Sequence, residues 1–309
     1  MSRRAWSVVL QLALLAVVTW FVTRTFIDRW DEFRSYPFDL QSNPGLLLLA
    51  ALLVWSGYAA LIAAWRGVVR GWNEPLGPWQ AGRIWALSSL GKYIPGKIWA
   101  VTGMVVMAQR AGVRPVVAAG SAVVMQLLAI GTGVAVAALT GVLAIVADGW
   151  LRIGLIALLA ASVGATLVLL QPRWVNWALA RLPGDMDQLP SGPTPLSVLG
   201  GVGANVLSWA AYGMAVWLLA RALVPEAAFP LLTTIGAFAA SYIVGFLVLL
   251  APGGLGVREG VFVLVLQGVV GLAPATAIAV ASRLLFTLTE VGVAVPFLLF
   301  PKGGSRDAS

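Results

Sequence analysis

The chain has no cysteine and no histidine, and only 10% of its 309 residues are charged. Each absence removes a chemistry. Without cysteine there is no disulfide, no thiolate nucleophile and no thiolate metal site. Without histidine the commonest general base and metal ligand is missing. No cluster of aspartates stands in for them along the sequence. Most enzyme classes are therefore disfavoured; the expectation is a non-enzyme with no cofactor and no metal. The scarcity of charge is as informative. Soluble domains carry about 25% charged residues and have their apolar runs broken every few positions.

What is present is hydrophobic sequence, 60% of the chain, in runs that reach the roughly 20 residues needed to cross a hydrocarbon core. The net charge is +8. In a soluble protein that would point to nucleic acid; here basic loops that fix orientation and face anionic lipid account for it, and no nucleic-acid partner is expected. Arg3 and Arg4 precede an apolar stretch, Val8–Phe26, that is longer than a signal-peptide core and lacks a small-x-small cleavage site, so it reads as a retained first helix.

Full-length spans are expected at Val8–Phe26, Gly45–Trp65, Val116–Leu139, Ile153–Leu170, Ser197–Ala220 and Ala275–Phe300. Between them lie shorter apolar pieces. Trp79–Gly91 and Ile98–Ala108 flank Lys92-Tyr93-Ile94-Pro95-Gly96-Lys97. Leu231–Ala251 and Val261–Leu272 flank a segment from Pro252 to Gly260, and Leu231–Ala251 is long enough to span by itself. Gln171–Pro195, with five prolines, reads as the linker.

Spacing divides the chain into two similar halves, 45–139 and 197–300, each read as span, broken hairpin, span within one transport domain covering 1–309. Pro95 falls 50 residues after Gly45 and Pro252 falls 55 after Ser197. If each broken segment is re-entrant and returns to its own side, the halves are inverted. If each makes a net crossing, they are parallel. Basic residues arbitrate. The re-entrant reading leaves thirteen Lys and Arg cytoplasmic (Arg3, Arg4, Arg66, Arg70, Arg83, Lys92, Lys97, Arg110, Arg114, Arg173, Arg181, Lys302, Arg306) and six outside, as the positive-inside tendency requires. The expected fold is thus an all-α polytopic membrane protein of about six spans plus two Pro/Gly-broken re-entrant hairpins in an inverted repeat, both termini cytoplasmic.

Interrupted apolar segments in matching positions point to a transport site, because the freed backbone groups must be satisfied by protein, water or substrate. The first break sets Lys92 and Lys97 around Pro95 and Gly96; the second offers Pro252, Gly253, Gly254 and Gly256 followed by Arg258 and Glu259. The plain alternative is that both are basic loops with turn residues. The second lacks the Gly-Lys-Ser/Thr ending of a nucleotide-binding loop. Arg283 and Glu290 share a face of the last span. Charges at that depth pair structurally or line a pathway, and Glu290 is a candidate proton carrier. Gln126 and Asn205, mid-span in the two halves, read as interhelical hydrogen bonders. The fourteen tryptophans, Trp79 and Trp150 among them, read mostly as interfacial anchors.

Leu90-Gly-Lys-Tyr-Ile-Pro-Gly-Lys-Ile-Trp99 and Ala251-Pro-Gly-Gly-Leu-Gly-Val-Arg-Glu-Gly260, followed by Ala281-Ser-Arg-Leu284, resemble the lysylphosphatidylglycerol synthase transmembrane-region family, the flippase-like module of bacterial synthase/flippases and their stand-alone relatives. The resemblance implies a lipid translocase of the bacterial cytoplasmic (inner) membrane. It implies that Lys92, Lys97, Arg258, Glu259 and Arg283 matter for lipid handling. Full-length synthases append a soluble aminoacyl-transferase domain; the sequence ends at Ser309, so the expectation is a stand-alone member that does not itself make lysylphosphatidylglycerol. The expected ligand is a membrane lipid with an anionic or phosphate headgroup, a phospholipid or a polyprenyl-phosphate glycolipid. The expected protein partner is a second copy or a lipid-modifying enzyme. Two other readings stand beside transport: an intramembrane enzyme acting on lipid phosphate with Glu259 or Glu290 as base, and a non-catalytic partner of such an enzyme.

Overall fold

Proline starts half of the described helices. It lacks an N–H that the first helical turn leaves unpaired in any case, and its fixed φ suits that position. The computed structural model describes residues 43–93, 98–142, 149–179, 191–247, 254 and 256–299. Among them are ten α-helices and no strand: α1 (Pro44–Gly71), α2 (Pro78–Ser89), α3 (Ile98–Arg110), α4 (Pro115–Leu139), α5 (Gly149–Leu169), α6 (Pro172–Leu179), α7 (Pro195–Leu223), α8 (Leu231–Leu247), α9 (Val257–Val270) and α10 (Leu272–Leu299). A short 3₁₀ turn, Leu90–Tyr93, follows α2. Glycines at positive φ close several of these segments; Gly271, at φ 87°, separates α9 from α10.

At 1.5 Å per residue, α1, α4, α7 and α10 are each about 38–44 Å long, enough to cross a bilayer. These four are long and apolar enough to do so. Helix α5 occupies the expected Ile153–Leu170 stretch as far as Leu169 but is not among those four, and Val8–Phe26 lies outside the described residues. Three boundaries differ from expectation. Helix α1 continues six residues past Trp65 and carries Arg66 and Arg70, which Arg66 tolerates by donating from Nε to the Leu76 carbonyl at 2.8 Å. The linker contains the short helix α6. The described part of Leu231–Ala251 ends at Leu247, and this α8 of 17 residues, about 26 Å, packs along α9.

The element order repeats. Long helix, short helix, break, short helix, long helix describes α1 to α4 and again α7 to α10. The packing repeats too: α2 leans on α10 while α8 leans on α4. The two leading helices, α1 and α7, form the most extensive helix contact among the described residues, and they run antiparallel. A Cβ on Gly71 would lie 2.5 Å from the Ser197 hydroxyl, and one on Gly57 only 2.4 Å from the Tyr212 ring. Ser208 bonds across to the Gly57 carbonyl at 3.0 Å. Small residues let the two backbones approach, as membrane helices require when lipid offers no hydrophobic drive to associate. Within the first hairpin, Gly91 fits against the backbone of Trp99 and Ala100 while Gly103 faces Ser88, so α2 and α3 double back on each other.

Tryptophan is not confined to the periphery. Trp79 is partly exposed as an anchor would be, but Trp65, Trp72 and Trp209 are buried. Trp65 donates to the Ser121 hydroxyl and Trp209 to that of Thr132, so these rings join helices. The outward faces carry exposed Leu48, Leu52, Leu284, Leu288 and Leu299, a surface suited to lipid.

The α1–α7 contact is testable. Gly57→Ala should destabilise the protein by about 1–3 kcal/mol, because the methyl collides with Tyr212. Gly67→Ala, on the same helix with nothing near its Cβ, should be neutral or stabilising by up to about 1 kcal/mol. Thermal unfolding in detergent compares the two.

Candidate functional site

Each break presents a cation, Lys92 from the first and Arg258 from the second, to one cavity of about 250 Å³. At the first break the chain leaves α2 through the Leu90–Tyr93 turn. Gly91 permits the tight approach to α3, where a Cβ would sit 2.8 Å from the Ala100 nitrogen. Lys92 is thereby turned inward. Its ammonium forms an ion pair with Glu290 of α10, and the same carboxylate oxygen accepts a hydrogen bond from the Tyr58 hydroxyl of α1. Glu290 is buried, with 4% of its side chain exposed, against 26% for Lys92. Both residues line the cavity, the acid more deeply buried than its cation.

At the second break, Gly254 and Gly256 adopt φ of 72° and 78°, a region that side chains with a Cβ rarely occupy. Glu259 closes the start of α9 by accepting the Gly256 N–H at 2.8 Å, leaving its other oxygen 3.7 Å from Arg283 of α10. Arg258 threads its aliphatic stem past Gly245, where a Cβ would lie 2.3 Å from its Cγ. Its guanidinium rests 4.6 Å from the centre of the Tyr242 ring and 5.5 Å from that of Phe238. Such stacking holds a cation in an apolar setting without neutralising it.

The remaining wall is aromatic and weakly polar. Tyr212 contacts Tyr58, Phe238 and Phe286 with ring centroids 5.4–5.9 Å apart. Its hydroxyl is buried and has no hydrogen-bond partner among the described residues. Gln126 and Asn205 both face the cavity. This corrects the expectation of interhelical bonding for Asn205, whose amide donates to the Gly201 carbonyl of its own helix at 2.8 Å. A turn of α7 supplies that acceptor locally, so no neighbouring helix is needed.

Of the residues singled out in the sequence, Lys92, Gly254, Arg258 and Glu290 line the cavity. Glu259 and Arg283 form the adjoining pair, and Gly256 caps α9. Arg283 and Glu290 do not pair with each other; two turns of α10 separate them, and each reaches a different break. Tyr93 ends the 3₁₀ turn. Pro95, Gly96, Lys97, Pro252 and Gly253 lie outside the described residues. Tyr58, Tyr212 and Tyr242 were missed. A usable signal existed: tyrosine is rare here, five residues against fourteen tryptophans, and these three sit inside apolar runs where a phenol needs a reason.

A helical integral membrane protein with interrupted helices and paired charges in its interior is what the fold and this cavity define. The chain belongs to the lysylphosphatidylglycerol synthase transmembrane-region family, which it matches over residues 8–292. That membership gives it a role connected with membrane lipid. No curated protein matches it individually.

The unpaired phenol yields an expectation. Tyr212→Phe removes a buried hydroxyl that bonds nothing among the described residues, so stability in detergent should be unchanged or slightly higher, by up to about 1 kcal/mol. A clear fall in melting temperature would mean that the hydroxyl has a structural partner.

Proposed function

We propose that the protein is a lipid translocase that moves an anionic or phosphate-linked lipid across the bilayer without making or breaking a covalent bond. The observation that carries this reading is the convergence of both breaks on one cavity where Lys92 and Arg258 stand among aromatic rings. A phosphate entering there loses water and gains charge-assisted contacts with an ammonium and a planar guanidinium. The volume, equivalent to about eight waters, suits a headgroup, and the acyl chains stay in the apolar surroundings.

Transport also needs access from both sides. The antiparallel course of α1 and α7 supports an inverted repeat, since equivalent helices of a parallel repeat would run the same way. Helices α2, α3 and α9, each no more than about 21 Å long, support re-entrant hairpins, entered from the cytoplasm at the first break and from outside at the second. With both termini inside, the protein sits in a bacterial cytoplasmic membrane.

Vesicle reconstitution with fluorescent phospholipids and a polyprenyl-phosphate glycolipid tests the function. Arg258→Ala should slow the transported lipid about tenfold or more while inserting and purifying normally, and Lys92→Ala should slow it as much at some cost in stability, because it removes the ammonium paired with Glu290. Wild-type rates from both variants would refute the shared headgroup site. The topology has its own check: single cysteines replacing Pro95 and Gly254 should react with an impermeant reagent from opposite sides of the membrane.

A further inference from the structure

We propose that the headgroup taken by the cavity is a phosphodiester bearing a neutral, hydroxyl-rich substituent, a polyol or a sugar. The inference rests on the translocase reading and names the class of lipid that the same site selects.

Charge sets the first limit. Among the described residues that line the cavity, Lys92 and Arg258 are cations and Glu290 is an acid, two positive charges against one negative, or a formal +1. Glu259 and Arg283 pair beside it and offset each other. A phosphodiester carries one negative charge and balances this wall. A headgroup that adds an ammonium to its phosphate is neutral as a whole and leaves the excess in place. Its ammonium must also share a cavity of about 250 Å³ with Lys92 and Arg258. Like charges so placed repel, and more strongly where little water screens them.

The neutral part of the wall sets the second limit. Helices α4 and α7 meet where a Cβ on Gly201 would lie 2.7 Å from Leu128 and 3.9 Å from Met125. Gln126 and Asn205 stand beside this contact, one on each helix, and both line the cavity. Asn205 is only 3% exposed. Its Nδ2 donates to the Gly201 carbonyl, which leaves its Oδ1 with no donor among the described residues. The Gln126 amide makes no hydrogen bond among them and offers the cavity both donors and an acceptor. From α2, the Ser88 and Ser89 hydroxyls donate to the carbonyls of Trp85 and Ala86 and keep their lone pairs. Such a wall suits a ligand that both donates and accepts without net charge, and hydroxyl groups do both. A bare alkyl substituent on the phosphate would desolvate the two amides and return no bond to them.

The test measures binding of dioctanoyl lipids to the full chain in detergent. Phosphatidylinositol, phosphatidylglycerol and phosphatidylmethanol each carry one negative charge, and of these phosphatidylmethanol has no headgroup hydroxyl. Phosphatidylethanolamine carries an ammonium instead. The two hydroxylated lipids should bind about tenfold more tightly than phosphatidylmethanol, the effect of one or two hydrogen bonds, and phosphatidylethanolamine should bind most weakly. Gln126→Leu should erase most of the preference for hydroxyls; Asn205→Leu serves the same purpose should the first variant fold poorly. Equal affinity for phosphatidylmethanol and phosphatidylinositol would overturn the proposal, the amides then holding water only, and would leave the translocase reading standing. Phosphatidylethanolamine bound as tightly as phosphatidylglycerol would also overturn it, as would a hydroxyl preference that survives in both variants. If no anionic lipid binds at all, the translocase reading falls and this inference falls with it.

Discussion

A carboxylate set in the middle of an apolar helix must keep a partner, and much of this structure is arranged around that requirement. Glu290 is reached by Lys92 from the first break and by Tyr58 from α1. These contacts tie the 3₁₀ turn of one half to the last helix of the other. Two turns away on α10, Arg283 does the same for the second break through Glu259. One helix therefore fixes both interruptions, and the cavity between them follows from it.

The second constraint is close backbone approach. Gly57 and Gly71 let α1 and α7 pack along most of their length, and Gly245 gives the stem of Arg258 room to pass. Small residues thus perform two tasks. They hold the halves together where the hydrophobic effect gives no help, and they admit a long cationic side chain to the interior. Larger residues at these places would block the same geometry twice.

The halves share a plan and only part of a chemistry. Where α1 meets α10, Trp55 bonds the Thr289 carbonyl and Tyr58 meets Glu290; where α7 meets α4, Trp209 bonds Thr132 without such an acid beside it among the described residues. Arg258 at the second break is held by aromatic faces rather than by an acid in direct contact, with Glu259 turned to Arg283. A two-fold arrangement of helices consequently encloses an electrostatically lopsided cavity.

The membrane class, the four longest described helices and the two interruptions were legible in the sequence, because each depends on local composition: apolar runs of sufficient length, proline at helix starts, glycine and proline at breaks. Lys92, Arg258, Glu259, Arg283 and Glu290 also stood out, since a charge in an apolar run is conspicuous whatever surrounds it. Their partners were not legible. That Glu290 meets Lys92 and Tyr58, rather than Arg283 on its own face, depends on how helices more than 190 residues apart in sequence come together. The same holds for the tyrosines, for the buried tryptophans and for the inward direction of Asn205. Sequence determined which residues are expensive to bury. Only the tertiary packing decided which of them meet, because a side chain's cost is local whereas its compensation comes from wherever the chain returns.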